Sequence, residues 1–413
     1  FSIVELKSGK AHPQNVWPQQ IYQVVAYNMI IRNAYGAENL GQSSILYSSH
    51  AQNSLRNVAN IPLLEQQLIH CRNRIVGIMH LLTEDPGSFF YWFTKQKAAD
   101  YKAFNQEKLL RLQRLFNGLR DYEIEWFMEQ VKRLSREIWQ VKLGSSSPDT
   151  EKHYGHNSLW QLSLAEKTGK IISQIKVETC NHRILNLSLP LNQDVTDYRV
   201  GDIVLLYDAS RRIDQQEIIR GVIESMDQSN ITLKIRAGIK NQRRFGDKCV
   251  WALEHDILES FLYAPFSSLS SFLEADPGKR DLLYGLCKPG LENESNSGTE
   301  IADILDRMAN AKDIHIIQGP PGTGKTSGLL SRYIQNFFTT TQKRMLVLSF
   351  TNRAVDEICL CLKRMNIPFI RMGNSSVIKE ELLEDLIQDQ RYAQINAILN
   401  QNRIYVSTVQ AAN

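Results

Sequence analysis

The stretch GPPGTGKT, residues 319–326, decides the fold of this chain of 413 residues. It fits the pattern G-x-x-x-x-G-K-[ST] at every fixed position. Glycines allow backbone N–H groups to turn inward around phosphates, a lysine brings positive charge to the β- and γ-phosphates, and a hydroxyl binds Mg²⁺. We therefore predict a site for ATP and Mg²⁺, with Lys325 as its catalytic residue and Thr326 as its metal ligand. The residues of this predicted site are Gly319, Pro320, Pro321, Gly322, Thr323, Gly324, Lys325 and Thr326.

The sequence on both sides of this loop predicts a strand before it and a helix after it. Residues 314–317 are mostly apolar and predict a buried strand, and apolar residues recur at helical spacing over 329–334. A strand, a glycine-rich turn and a helix in this order hold phosphates at the amino end of the helix. The alternative for the loop is a Gly- and Pro-rich surface turn, which this setting disfavours.

Strands and helices alternate further along the chain. Residues 345–350 (MLVLSF), 368–371 and 403–408 (RIYVST) predict strands, and residues 353–363 predict a helix. This alternation predicts an α/β domain with a doubly wound parallel sheet, in which ligands bind at the carboxyl ends of the strands.

Composition limits the class of protein. The chain is 43% hydrophobic and 22% charged, as soluble globular proteins are, and its net charge of +4 permits nucleic-acid binding without arguing for it. The six cysteines include no C-x-x-C pair, so neither a disulfide framework nor a zinc site is predicted. No apolar run has membrane-spanning length, and the first ten residues carry Glu5, Lys7 and Lys10 where a signal peptide would need an apolar core. We expect an intracellular protein, cytoplasmic in a prokaryote or nuclear in a eukaryote, with no membrane partner.

Two pairs of polar residues near the start of the chain predict a second site. Glu5 and Lys7 are two residues apart on a predicted strand, so they point to one face. Gln23 and Tyr27 are four residues apart on a predicted helix and also share a face. A carboxylate that holds Mg²⁺ or Mn²⁺, beside a lysine that stabilises a charged transition state, suits a metal-dependent phosphodiesterase. The alternative for Glu5 and Lys7 is a solvated ion pair.

The middle of the chain changes its hydrophobic period. Residues 61–82 and 95–142 predict helices, the latter two helices paired as in a coiled coil and broken near Gly118 or Asp121. After a linker at 144–148, segments of period two predict a small β-barrel. Its predicted strands are 171–177, 184–189, 203–206, 217–223, 231–235 and 249–253. Basic residues on one loop either contact a nucleic-acid backbone or are solvated, namely Arg236, Lys240, Arg243, Arg244 and Lys248.

VELKSGK at residues 4–10, followed by Q-x-x-x-Y, resembles the RecB-like branch of the PD-(D/E)XK nucleases. The active-site residues that this resemblance implies are Glu5, Lys7, Gln23 and Tyr27, with Glu5 as a metal ligand. The family also has a metal-binding Asp on the preceding strand, which would lie ahead of residue 1. Members with an iron–sulfur cluster carry three closely spaced cysteines after this helix. Because Cys71 stands alone there, the resemblance does not support a cluster.

GPPGTGKT, SFTNRAVDE (349–357) and VSTVQAA (406–412) together resemble the superfamily 1 helicases of the Upf-like group. The resemblance implies single-stranded or flapped DNA as the partner, with RNA left open, and protein partners are unknown. The implied nucleic-acid contacts are Thr351, Asn352, Ser407 and Thr408. A nuclease ahead of such a helicase is similar to the DNA replication ATP-dependent helicase/nuclease family. The expected domains are the C-terminal part of a nuclease (1–86), a helical stalk (87–146), a small β-barrel (155–255), a helical connector (256–300) and an incomplete first RecA-like P-loop domain (301–413).

The chain departs from these families in two ways. Thr299, Glu300 and Ile301 stand where an adenine-reading glutamine is expected. No D-E pair, second RecA-like domain or arginine finger follows the loop, so we expect a fragment that binds ATP weakly and does not turn it over. Three functions stay open: an ATP-driven DNA helicase with a nuclease, an RNA-directed helicase-like NTPase with an inactive nuclease remnant, and a nucleotide-binding regulatory module.

Overall fold

The structure, a computed structural model, describes most of the chain. The described residues are 1–50, 52–144, 158–161, 171–191, 195–235, 245, 249–256, 259–291, 300–373, 375, 377–387 and 392–412. The chain divides into two compact units. The first comprises Phe1–Asp194, Val204–Gly221 and Ile235–Leu273, and the second comprises Val195–Ile203, Val222–Lys234 and Glu274–Asn413. The linker residues 145–148, Thr299 and the five basic barrel-loop residues named above lie outside the described residues.

A small mixed sheet and a helix open the first unit. The elements are β1 Ile3–Lys7, α1 Pro18–Tyr35, β2 Ser43–Tyr47 and β3 Leu55–Val58. The sheet order is β1-β2-β3, with β1 parallel to β2 and β3 antiparallel to it. One face of the sheet packs on α1 in a core that includes Val24, Ile45 and Tyr47. Burial alternates along β1, so Glu5 and Lys7 share its half-buried face.

Long helices follow, as the hydrophobic pattern predicts. They are α2 Pro62–Glu84, α3 Pro86–Thr94, α4 Ala103–Asn117 and α5 Asp121–Leu143. The break at Gly118 is confirmed, because α4 ends there and α5 begins at Asp121. The predicted pairing is wrong in its partner, since α5 packs mainly along α2. The shorter α4 meets α5 near the break, where the Phe116 and Phe127 ring centroids lie 5.3 Å apart. Among the described helices, none is both long enough and apolar enough to cross a membrane.

The predicted six-stranded barrel is confirmed. After the short helix α6 Ser158–Gln161, its strands are β4 Ile171–Asn181, β5 Ile184–Ser188, β6 Ile203–Asp208, β7 Ile219–Met226, β8 Asn230–Ile235 and β9 Trp251–His255. They close in the order β4-β5-β8-β7-β6-β9. Alternate residues point inward, and Ile172, Leu206 and Leu253 are fully buried. Helices α7 Glu259–Leu273 and α8 Pro277–Leu283 follow the barrel.

The phosphate loop belongs to an α/β part of the second unit. Its helices are α9 Ile301–Asn310, α10 Ser331–Thr340, α11 Asn352–Arg364, α12 Leu383–Ile387 and α13 Tyr392–Gln401. Its strands are β10 Met345–Ser349, β11 Ile370–Met372 and β12 Ile404–Thr408. They form an all-parallel sheet in the order β10-β12-β11. Ile334 of α10, Leu362 of α11 and Val406 of β12 share one core, which anchors the helix after the loop.

Residues 314–317 form no strand, so that prediction is wrong. Ile316 is 85% exposed, and its apolar neighbours Ile314 and Ile317 are only half-buried. A strand exists through hydrogen bonds to a neighbouring strand, and in the described part of the chain no strand pairs with this segment. The segment therefore reaches the phosphate loop as irregular backbone.

Candidate functional sites

The phosphate loop turns sharply at two glycines. Gly322 and Gly324 have φ angles of 80° and 75°, in the left-handed region that residues with a Cβ avoid. Lys325–Leu330 then forms a π-helical turn that continues into α10. The Gly324 carbonyl accepts hydrogen bonds from the N–H groups of Gly328 (2.8 Å) and Leu329 (3.1 Å). The helix therefore starts directly from the turn that the glycines permit.

Lys325 lies across the loop. Its Nζ donates to the carbonyl oxygens of Gly319 and, at 2.7 Å, of Pro320. Thr323 Oγ1 donates to the same Pro320 oxygen at 2.8 Å. A Cβ at Gly319 would come within 3.0 Å of the Lys325 side chain, so the lysine crosses where a glycine leaves room. The exposed ammonium can exchange these neutral carbonyls for phosphate oxygens, which are stronger partners.

The start of the helix fits a triphosphate with Mg²⁺. The first N–H groups of a helix have no partner within it and attract anions. Thr326 is half-buried at this start. Its hydroxyl can supply one oxygen to Mg²⁺, an ion that takes its other ligands from phosphates and water. In this arrangement Thr326 would hold the ion and Lys325 would hold the phosphates.

The carboxyl ends of the strands gather the residues predicted to contact nucleic acid. Ser349 of β10 pairs in register with Thr408 of β12. Thr351 follows β10 and caps α11, its Oγ1 accepting a hydrogen bond from Ala354 N–H at 3.2 Å. Thr351 and Asn352 therefore lie at the same sheet edge as Thr408.

Access to solvent differs among these residues. Ser407 is fully buried and Thr408 is 5% exposed. Ser407 Oγ donates to the Met372 carbonyl oxygen at 3.4 Å, so this hydroxyl serves the sheet itself. Thr351 is exposed and Asn352 is half-buried at the amino end of α11. These two side chains are the better placed to meet a ligand at this edge.

In the first unit, the predicted nuclease residues form one hydrogen-bonded cluster. Lys7 Nζ lies 2.8 Å from Glu5 Oε1 and donates to Gln23 Oε1 at 2.8 Å. Gln23 Nε2 donates to Glu5 Oε1 at 3.0 Å and to Tyr27 Oη at 2.8 Å. The side chains of Lys7 and Glu5 are 25% and 19% exposed. Hydrogen bonds with Gln23 of α1 thus hold the Glu5–Lys7 pair, unlike a solvated surface ion pair.

The helix that carries Gln23 and Tyr27 is fixed by its buried face. Val24 and Val25 have no exposed surface. Asn28, also fully buried, accepts a hydrogen bond at its Oδ1 from Ser43 Oγ of β2 at 2.6 Å. Hydrophobic contact and this buried polar bond together fix the rotation of α1 on the sheet. That rotation brings Gln23 and Tyr27 of α1 over Glu5 and Lys7 of β1.

Comparison with known proteins shows what the chain is similar to. Residues 297–411 match the AAA domain family. Over 274 residues, 59% of the chain, the sequence is 23% identical to the DNA replication ATP-dependent helicase/nuclease DNA2 of Mus musculus and covers 25% of it. Over 241 residues, 52% of the chain, it is 22% identical to the DNA replication ATP-dependent helicase/nuclease JHS1 of Arabidopsis thaliana and covers 18% of it. Over about half its length, the chain is a homologue of the DNA replication ATP-dependent helicase/nucleases.

A third relative matches a shorter stretch with higher identity. The DNA polymerase alpha-associated DNA helicase A of Schizosaccharomyces pombe is 37% identical over 73 residues, 18% of this chain and 11% of the relative. The chain thus spans a quarter or less of the length of these three relatives.

The described residues offer few candidate metal ligands at the nuclease cluster. No group of three or more His, Cys, Asp or Glu side chains there could hold a metal ion. Glu5 supplies one carboxylate. Mg²⁺ is commonly bound by one or two carboxylates together with substrate phosphates. Glu5 therefore fits as one ligand of such an ion.

Sequence reasoning missed Arg371. This arginine of β11 is fully buried, and its Nε lies 3.1 Å from Asp356 Oδ1. Its Nη2 donates to Asn352 Oδ1 at 2.9 Å and its Nη1 donates to the Met372 carbonyl oxygen. Burial raises the pKa of the nearby Cys359 thiol to about 12, so this cysteine stays neutral. A lone charge inside an apolar strand was the signal available in the sequence.

Proposed function

We propose that this helicase/nuclease homologue forms the ATP-binding part of a DNA helicase and carries catalytic residues of an associated metal-dependent nuclease. The observation that carries the proposal is the phosphate loop. Its lysine reaches back across the loop to the Pro320 carbonyl oxygen, and the loop turns at two left-handed glycines before the helix, inside a domain that matches the AAA family. The strand ends of the same domain hold Thr351 and Asn352, which we assign to nucleic-acid contact.

The motor chemistry assigned to this domain is electrostatic. Phosphoryl transfer needs the phosphates held in place and their developing charge stabilised. Lys325 provides the charge, the helix start provides backbone N–H donors, and Thr326 would ligate the Mg²⁺ that neutralises the phosphates. The π-helical turn Lys325–Leu330 contacts α11, the helix that Thr351 caps. Nucleotide and nucleic acid would therefore act on neighbouring helices of one domain.

The nuclease assignment is supported by the cluster around Gln23. This amide accepts from Lys7 and donates to Glu5, so it keeps the ammonium beside the carboxylate. Glu5 would ligate a divalent metal, which activates water and neutralises phosphate charge when bound. Lys7 would stabilise the negative charge that develops on the cleaved phosphate.

DNA is the substrate that we propose, single-stranded or flapped. The names of the relatives refer to DNA replication and to DNA helicase activity. An RNA-directed NTPase with an inactive nuclease remnant is less well supported, since Glu5, Lys7, Gln23 and Tyr27 are all present and hydrogen-bonded together.

Nucleic-acid-dependent ATP hydrolysis tests the motor. Phosphate release by the intact protein is measured alone, with single-stranded DNA, and with RNA of the same sequence. DNA should stimulate the rate more than RNA, and Lys325→Ala should lower the stimulated rate about 100-fold or more. Lys343→Ala, an exposed lysine of the same domain, serves as the control and should behave as wild type. Greater stimulation by RNA would favour the RNA-directed reading, and no stimulation would favour a regulatory module.

Cleavage of labelled flapped DNA with Mg²⁺ or Mn²⁺ tests the nuclease. Glu5→Gln keeps the shape of the side chain but removes the metal-binding charge, so cleavage should fall about 100-fold or more. Glu65→Gln is the matched control, because Glu65 is also a shielded carboxylate, 2.6 Å from Arg32. Undiminished cleavage by Glu5→Gln would reduce Glu5 and Lys7 to a structural ion pair.

A further inference from the structure

We propose that Arg371 is a positioning residue that sets how Asn352 meets nucleic acid. It holds the amide oxygen of Asn352 inward and leaves the amide N–H groups to donate to a phosphate. The inference rests on the proposed function and adds to it a residue in the interior of the sheet, one that makes no contact with nucleic acid itself.

The orientation of the Asn352 amide follows from hydrogen-bond chemistry. Arg371 Nη2 is 2.9 Å from Asn352 Oδ1. A guanidinium has donors and no acceptor, so the atom of Asn352 that faces it must be the oxygen. The Nδ2 group is then the remaining polar group of the side chain. Phosphate oxygens only accept hydrogen bonds, so a donor is what this position must present.

The guanidinium has little freedom to turn. Arg371 has no exposed surface, and Asp356, the carboxylate 3.1 Å from its Nε, is 8% exposed. A buried charge needs both its counter-ion and its hydrogen bonds, and losing either is costly. Nε, Nη1 and Nη2 each have an acceptor, on Asp356, Met372 and Asn352 respectively. This three-way contact needs the planar fork of arginine and is beyond a lysine.

The same arginine connects the start of α11 with the end of β12, the two segments that the family resemblance implies in nucleic-acid contact. The Met372 carbonyl oxygen accepts from Arg371 Nη1 and also from Ser407 Oγ, the latter at 3.4 Å. Met372 pairs in register with Ser407. One guanidinium therefore helps to position both the start of α11, through Asn352, and the end of β12, through the Met372 carbonyl oxygen. A shift of Arg371 would move both segments of the sheet edge.

Asn352→Asp separates positioning from folding. The carboxylate has the same shape and pairs with Arg371 at least as well, so the melting temperature should hold or rise. The outward group changes from a donor to a negatively charged acceptor, so affinity for a fluorescein-labelled oligothymidylate should fall about tenfold or more. Fluorescence anisotropy of the full chain measures this affinity. Affinity for a fluorescent ATP analogue should stay unchanged.

Arg371→Lys provides an independent test. Its charge still pairs with Asp356, but the Asn352 amide is released to turn either way, so oligonucleotide affinity should fall by a smaller factor. Both substitutions act through one amide, so their effects should not add. In the Asn352→Asp background, Arg371→Lys should cause little further loss of affinity.

The chain offers a matched control pair. Arg344, before β10, donates to Asn400 Oδ1 at 2.6 Å, which is the same chemistry at the opposite end of the strand. Asn400→Asp adds the same charge and should leave oligonucleotide affinity unchanged. If wild type binds and Asn352→Asp binds equally well, or if that variant loses stability and ATP affinity together, the inference is overturned. If wild type binds no oligonucleotide, the proposed function fails and the inference fails with it.

Discussion

At the scale of single residues, the proposed nucleotide binding should depend on the backbone at Gly324. With φ of 75° and ψ of 24°, this glycine is in the left-handed region, where a residue with a Cβ costs about 1–2 kcal/mol. A Cβ there would meet no atom within 4 Å, so the cost is conformational and not steric. We predict that Gly324→Ala weakens binding of a fluorescent ATP analogue about five- to thirtyfold.

Gly328→Ala is the control for that prediction. Gly328 lies in the helical turn, its added Cβ would also meet no atom within 4 Å, and alanine is the better helix former. ATP affinity should therefore be unchanged. Equal losses in the two variants would contradict a special role for the left-handed conformation.

The residue pairs that sequence could predict are those set by a local period. Glu5 and Lys7 share a face because a strand repeats every two residues, and Gln23 and Tyr27 share one because a helix nearly repeats every four. The structure brings these pairs within hydrogen-bond distance of each other. The contact of Arg371 with Asp356 joins a strand to a helix across 15 positions of the chain, and no local period indicates it.

At the scale of elements, Asp208 ties two strands of the barrel together. It ends β6, is 3% exposed, and its Oδ1 accepts from Ser210 N–H (3.0 Å), Ser210 Oγ (2.6 Å) and Val250 N–H (3.1 Å), the last directly before β9. Removing the acceptor charge of the buried Asp208 would leave these donors poorly matched. We predict that Asp208→Asn lowers the free energy of unfolding by about 1–3 kcal/mol in urea at pH 7.

That contribution should depend on pH in a definite direction. Burial raises the pKa of Asp208, but hydrogen bonds from Ser210 and Val250 outweigh it, and the pKa lies below the usual 3.8. The stabilisation is therefore fully present above about pH 3.8 and is lost as the pH falls through the folded-state pKa. The stability difference between wild type and Asp208→Asn should shrink below that pH. Asp214→Asn, in the surface pair with Arg212, should show little difference at any pH.

Elements differ in how far sequence determines them. The barrel strands alternate apolar and polar residues, so each segment carries its own signal, and six of six appear in the structure. The apolar segment 314–317 has the composition of a buried strand but no strand partner among the described residues. Pairing is a property of the neighbours, so composition predicted this element wrongly. The prediction of the coiled-coil partner of α5 was wrong for the same reason, because an apolar stripe does not indicate which helix packs against it.

At the scale of the whole molecule, the two candidate sites lie in different compact units. The Glu5 cluster is in the first unit and the phosphate loop is in the second. Each is held by hydrogen bonds inside its own unit, Lys7 by Gln23 and Lys325 by Pro320. Substitutions at sites with no shared partner usually act independently. The two proposed activities should therefore be separable by single substitutions in the intact protein.

The expected pattern is a crossed loss of function. Lys325→Ala should abolish ATP hydrolysis and unwinding while metal-dependent cleavage of flapped DNA stays within about twofold of wild type, and Glu5→Gln should do the reverse. Both activities are measured on one preparation of each variant, with circular dichroism as the check on folding. The lysine acts on nucleotide phosphates and the carboxylate on a metal at the scissile phosphate, so neither chemistry requires the other. Loss of cleavage in a folded Lys325→Ala variant would show that DNA cleavage depends on the nucleotide state. The two sites would then be functionally coupled.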